Sequence, residues 1–136
     1  MTAKEYLLTG QRFNVILEQK SLEKQYLQTL LESCFPQDKK NIVRLIGIVD
    51  AELFEVEEKK NQIISMVQGL KSQIQTKVLY KRYLEDKQEI PCERVAEELN
   101  YTRQYIVEVH GKALKAFEKI YQEELQKGQG EHGNKA

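Results

Sequence analysis

Apolar residues recur every seven positions through the middle of the chain. Ile42, Val49, Val56, Ile63 and Leu70 form one register, and Ile46, Leu53, Val67 and Ile74 fill a second, interrupted only by Lys60. A seam of this kind, sustained over several heptads, predicts a coiled-coil-like helix. Upstream, Tyr6, Leu7, Phe13, Ile16, Leu17, Leu27, Leu30 and Leu31 are spaced for another long helix, and Thr2 with Glu5 three residues on is a capping-box start. Pro36 closes that helix near Cys34, and Asp38 is placed to cap the next. Two long helices joined by so short a turn predict an antiparallel hairpin over residues 1–70. Lys20 and Glu23 stand where the first helix should be apolar, which weakens pairing within the chain and leaves room for a homodimer through the hairpin.

After Gly69 the pattern shortens. Three helical segments are predicted: roughly Ser72 to Leu84, Pro91 to Leu99, and Thr102 to about Glu124. Val95, Ala96 and Leu99 share one side of the middle segment. Asn100 tolerates left-handed geometry at its end, and Thr102 can cap the last helix through its hydroxyl. Ile106, Val109, Ala113 and Phe117 make the buried stripe of that helix, expected against Val95 and Leu99. A short helix, a three-residue turn and a capped second helix predict a helix-turn-helix over 71–125. The remaining residues, 126–136, are polar and glycine-containing without periodicity, and predict a disordered tail. The fold class is therefore all-α: a long N-terminal antiparallel helical hairpin, coiled-coil-like, and then a helix-turn-helix.

In that geometry the second helix, residues 102–120, enters a major groove with its first outer turns at the base edges. Gln104, Glu108, Gly111 and Lys115 lie opposite the apolar stripe, with Arg103 and Val107 flanking them. Arg103 can bond guanine, Gln104 adenine and Glu108 the cytosine amine, while Val107 can touch a thymine methyl. Lys112, Lys115, Arg94 and Arg82 would position phosphates, Thr102 and Tyr105 border the contact, and Gly111 would allow close backbone approach.

Here the residues carry a resemblance. The stretches "KRYLED", "ERVAEEL", "YTRQYIVEV" and "GKALKAF", spread over Ile74 to Ile120, resemble region four of bacterial sigma factors. The hairpin resembles no sigma region. The whole arrangement is similar to transcriptional regulators of phages and prophages of Gram-positive bacteria, including relatives of late-gene activators. The resemblance implies a transcriptional regulator rather than a complete sigma factor; double-stranded DNA is the expected partner and RNA polymerase a candidate one. It selects Arg103, Gln104 and Glu108 as base contacts and Lys112 near phosphates. That family often has basic residues where this chain has Tyr105 and Val107.

Charge changes the picture. Lys plus Arg and Asp plus Glu are 21 each. Residues 71–120 hold ten basic and eight acidic side chains. Phosphate attraction grows with the number of cations that displace counterions, so such a module binds DNA weakly alone and needs a second copy or a partner protein. The same neutrality motivates a competing reading, an interaction module that binds protein such as RNA polymerase without touching DNA, and the motif leaves open a third, a DNA-packaging initiator. Cys34 and Cys92 are far apart without metal-ligand spacing, which points to a reduced, cytoplasmic protein without a metal or other cofactor. No signal peptide or membrane span is expected, because charges interrupt every apolar run. Phosphate loops, zinc-protease helices and nucleophile elbows are absent, so an enzyme is not expected. His110 is read as a partly buried or surface histidine rather than a ligand, and Cys92 as a small packed thiol.

Overall fold

A computed structural model describes residues 1–135, with side chains described through Gly128. Five α-helices occur among the described residues: α1 (Ala3–Ser33), α2 (Lys39–Gln68), α3 (Gln73–Leu79), α4 (Cys92–Leu99) and α5 (Arg103–Lys135). Helices α1 and α2 pack along their lengths as the antiparallel hairpin that the two apolar patterns predict. The disordered tail expected for 126–136 is instead taken up by α5, whose backbone runs on as helix to Lys135, because Gln, Lys and Glu hold helical geometry without an apolar stripe. Side chains from residue 129 onward and residue 136 lie outside the described residues.

Thr2 caps α1, its Oγ1 accepting from the Glu5 backbone N–H at 3.1 Å. Pro36 stops the chain as expected, but the connection is a turn of 3-10 helix over Pro36–Asp38. Asp38 stands at the N-cap of α2 without a side-chain cap bond. Its own N–H is bound to the Phe35 carbonyl at 2.9 Å and its backbone is already helical. A capping side chain needs extended geometry, which that turn denies.

The heptad seam holds as far as Val67. Gly69 then closes α2, so Leu70 falls in the connection and Ile74 in α3. Lys20 and Glu23 do not pry the hairpin apart. Lys20 reaches Glu52 of α2 at 2.8 Å and Glu23 on its own helix at 3.5 Å, and the neighbouring Lys24 reaches Asp50 at 2.7 Å, so lysines of α1 meet carboxylates of α2 in the same chain.

Helix α3 runs directly into a π-helical turn, Tyr80–Leu84, closed by the Glu85 N–H on the Tyr80 carbonyl at 2.9 Å. The wider turn presents Tyr83 and Leu84, neighbours in sequence, both to the interior. Leu84 packs against α1 at Gly10, where a Cβ would come within 2.5 Å of its Cδ2. Asn14 locks the same junction, its Nδ2 donating to the carbonyls of Leu84 and Asp86 at 2.9 and 2.8 Å.

Three apolar clusters result. Leu27, Ile42 and Val49 fill the far end of the hairpin. Val78, Ile90, Val95, Ala96, Ile106 and Val109 form the interior of the helix-turn-helix. Between them lies the largest, joining Ala3 and Leu7 of α1, Ile63 and Val67 of α2, Leu79, Tyr83 and Leu84, and Ala113, Phe117 and Tyr121 of α5. The stripe on α5 is thus shared. Ile106 and Val109 pack with Val95 as expected, whereas Ala113 and Phe117 pack on the base of the hairpin, not on Val95 and Leu99. Helix α4 is only eight residues long, so the later turns of α5 pass beyond it and meet α1 and α2.

Candidate nucleic-acid interface

Asn100 takes φ 61° and ψ 44°, the one positive φ at a non-glycine residue among the described residues. The Asn100 N–H meets the Glu97 carbonyl at 3.4 Å and the Tyr101 N–H meets Ala96 at 3.0 Å. This paired arrangement ends a helix through one left-handed residue, a geometry that Asn adopts at lower cost than most side chains. Two residues later Thr102 Oγ1 accepts from the Tyr105 N–H at 3.2 Å and starts α5. Pro91 sits at the N-cap of α4, one residue ahead of the first turn, with its carbonyl accepting from Arg94 and Val95. The turn is therefore fixed at both ends by backbone bonds, and the start of α5 has a defined direction.

Every residue singled out from the sequence on α5 is exposed: Arg103, Gln104, Tyr105, Val107, Glu108, Lys112 and Lys115, together with Thr102 ahead of it and Arg94 on α4. Gln104 and Glu108 share the ridge opposite Ile106 and Val109. Among the described residues neither they nor Lys112 and Lys115 have a hydrogen-bond or ion-pair partner within the chain. The two arginines do. Arg103 Nε lies 3.2 Å from Glu93, and Arg94 Nε lies 3.4 Å from Glu98. Both pairs are solvent-exposed and are worth little, so either arginine can exchange its carboxylate for another anion at small cost.

Arg82, expected beside the phosphates, is engaged within the chain. Its Nε donates to the Ile90 carbonyl at 3.1 Å, and its Nη1 lies 2.7 Å from His110 Nε2 and 3.2 Å from the Tyr83 hydroxyl. Tyr83 O–H also approaches His110 Nε2, at 2.6 Å, and Glu89 lies 3.5 Å from Arg82 Nη2. These groups tie the π-turn and the loop before α4 to the outer helix. Burial, and after it the Arg82 and Lys4 charges, lowers the His110 pKa to about 4, so the ring is neutral and accepts. Burial raises the Tyr83 hydroxyl to about 12, leaving it a donor. His110 is thus a half-buried structural acceptor, and the sequence offers no signal of its partners 27 and 28 positions away.

Tyr101 is a surface residue that the apolar stripe does not single out. It lies in the turn, its ring centroid 4.8 Å from that of Tyr105 and tilted by 35°. The signal in the sequence is a pair of tyrosines four apart, beginning at the residue after Asn100. No cluster of three or more His, Cys, Asp or Glu side chains that could hold a metal ion occurs among the described residues. No helix among them is long and apolar enough to cross a membrane.

In comparisons with known proteins, no family model, curated protein or solved structure matches the chain.

Proposed function

We propose that the chain is a DNA-binding transcriptional regulator of phage or prophage type that lays residues 102–120 in the major groove. One observation carries the reading: a rigidly built turn projects the first two turns of α5, with Arg103, Gln104, Tyr105, Val107 and Glu108 all exposed, while Ile106 and Val109 anchor the opposite side. A second helix that follows a short one through a tight turn, polar outward at its N-terminal end, is the arrangement that reads base edges. The sigma region-four likeness of Ile74 to Ile120 supports the same task. Lys112 and Lys115 are unpaired cations further along, suited to phosphates.

The near-neutral surface makes affinity dependent on a second copy of the chain or on RNA polymerase. A homodimer through the hairpin fits the exposed Phe54 on α2. Fluorescence anisotropy with duplex DNA tests the reading. Binding is expected at low ionic strength, falling with salt at a slope of about −2 to −3, as two or three phosphate contacts require. Arg103→Ala is expected to weaken binding by about 1–3 kcal/mol. Absence of binding at low salt, or an Arg103→Ala variant that binds as tightly as the parent, rejects the reading.

The pairing of Arg103 with Glu93 and of Arg94 with Glu98 favours a second reading, in which the same corner binds a protein surface without DNA. Co-purification with RNA polymerase in the absence of any DNA binding would select it.

A further inference from the structure

Three large apolar side chains stand in solvent among the polar residues at the start of α5. Tyr101, Tyr105 and Val107 are 47%, 39% and 43% exposed, and they fall within the turn and the first two helical turns. On a helix, Tyr105 and Val107 lie on opposite flanks of the ridge carrying Gln104 and Glu108. Tyr101 braces the Tyr105 ring at 4.8 Å. A side chain already held in place loses less freedom on binding than a mobile one. On the Val107 flank, Arg103 is turned to Glu93, and Cys92, Pro91 and His110 line the same shallow hollow. Val107 shares this hollow with Arg82 and Arg103, while Tyr105 stands on the other flank of the helix.

We infer that the target of this surface is an A·T-rich duplex, recognised through the 5-methyl groups of thymine by Tyr105 and Val107 on either side of Gln104. The inference rests on the DNA-binding reading above and goes on to name the chemistry of the site. Among the four bases, thymine alone presents an apolar group in the major groove. Against any other base edge Val107 would strip water from polar atoms and return nothing, and Tyr105 would have only its hydroxyl to offer in exchange. Gln104, on the ridge between them, has the amide that pairs with adenine N6 and N7, the partner of thymine. The first two turns of that ridge hold no arginine or lysine, and Arg103, on its flank, would have to leave Glu93 to reach a guanine.

The test begins by selecting bound fragments from a random duplex pool with the full chain. Each thymine of the selected site is then replaced in turn by uracil, which keeps the pairing and removes only the methyl. The expected result is an A·T-rich site in which uracil at one or two positions weakens binding about fourfold each, the value of one buried methyl. Val107→Ala and Tyr105→Asn, both at exposed positions and checked for unchanged helicity, are each expected to bind the thymine site more weakly and to lose the uracil effect at one position. A G·C-rich selected site, uracil copies bound as tightly as the parent, or variants that keep full sensitivity to uracil would each overturn the inference and leave the DNA-binding reading standing. A pool from which nothing is selected, at low salt, overturns both.

Discussion

The two ends of the hairpin are built from one sequence pattern and held by different means. At the far end, Leu27, Ile42 and Val49 are buried between two helices only, and Lys20–Glu52 and Lys24–Asp50 ion pairs flank them. At the base the same two helices meet the π-turn and α5, and the buried set becomes the largest in the molecule. A two-helix seam leaves each side chain one partner helix. A four-element junction surrounds it. Regular heptads therefore do not imply even stability along the hairpin: the base should be the folding core of the whole chain and the far end an extension resting on it.

Truncation of a buried side chain at each end breaks the comparison most visibly. Phe117 is fully buried at the junction, and Phe117→Ala is expected to cost about 3–5 kcal/mol. Leu27, 8% exposed at the far end, should cost about 2 kcal/mol as Leu27→Ala, because two helices can close up around a cavity more readily than four elements can. Urea unfolding monitored by circular dichroism measures both. Equal losses would mean that the far end is as well packed as the base.

Glycine sharpens it further, because the two ends should respond with opposite sign. Gly10 packs on fully buried Leu84, whose Cδ2 a Cβ would approach to 2.5 Å. Overpacking costs about 1–3 kcal/mol and exceeds the gain of about 1 kcal/mol in helix propensity, so Gly10→Ala is expected to destabilise. Gly47 on α2 has nothing within 4 Å of the same position. Gly47→Ala should therefore stabilise by about 1 kcal/mol. Thermal midpoints moving in the same direction for both would contradict the close approach at Gly10.

The difference between the ends marks how far the sequence was legible. Periodicity revealed which face of each helix is buried, and hence the hairpin, but not what buries it. Ala113 and Phe117 lie on the stripe with Ile106 and Val109, yet they belong to another cluster, since helix spacing is indifferent to whether α4 or α1 lies opposite. The π-turn was hidden because it adds one residue to an otherwise ordinary helical pattern. Asn100 and Thr102 were legible, because left-handed backbone and helix starts have local chemical requirements. Exposure of Arg103, Gln104 and Glu108 could be read from the same stripe. The Arg103–Glu93 contact could not, because it spans the turn, and neither could the Arg82–His110 contact between distant elements.

That last contact makes the base of the molecule sensitive to acid in a way the far end is not. The folded His110 pKa, about 4, lies below its ordinary value of 6.5, so between these values the unfolded chain binds the proton and the folded one resists it. The stabilisation is complete above about pH 6.5 and is lost as the pH falls toward 4. Half-exposure and solvent screening hold the loss to about 1–2 kcal/mol. The groups acting on the ring are Arg82, Lys4, Glu89 and Tyr83. His110→Gln, which keeps an acceptor and cannot take a proton, should flatten the stability profile between pH 6.5 and 4. A variant with the parent's slope would place the acid sensitivity elsewhere.

The smallest effect belongs to the far end. Lys24 and Asp50 are 2.7 Å apart, but both side chains remain substantially in solvent. A pair in that setting contributes at most about 1 kcal/mol, and salt screens it. The coupling energy from Lys24→Ala, Asp50→Ala and the double variant should therefore be small and should fade in high salt. Its importance is in register more than in strength, because Lys24 facing Asp50 and Lys20 facing Glu52 fit only one alignment of α1 against α2. Reversing the Lys24–Asp50 pair, with Lys24→Asp and Asp50→Lys together, should retain both stability and alignment. Either single change sets like charges across the seam and should loosen the far end while leaving the junction at Phe117 intact, as amide exchange measured separately at the two ends would show.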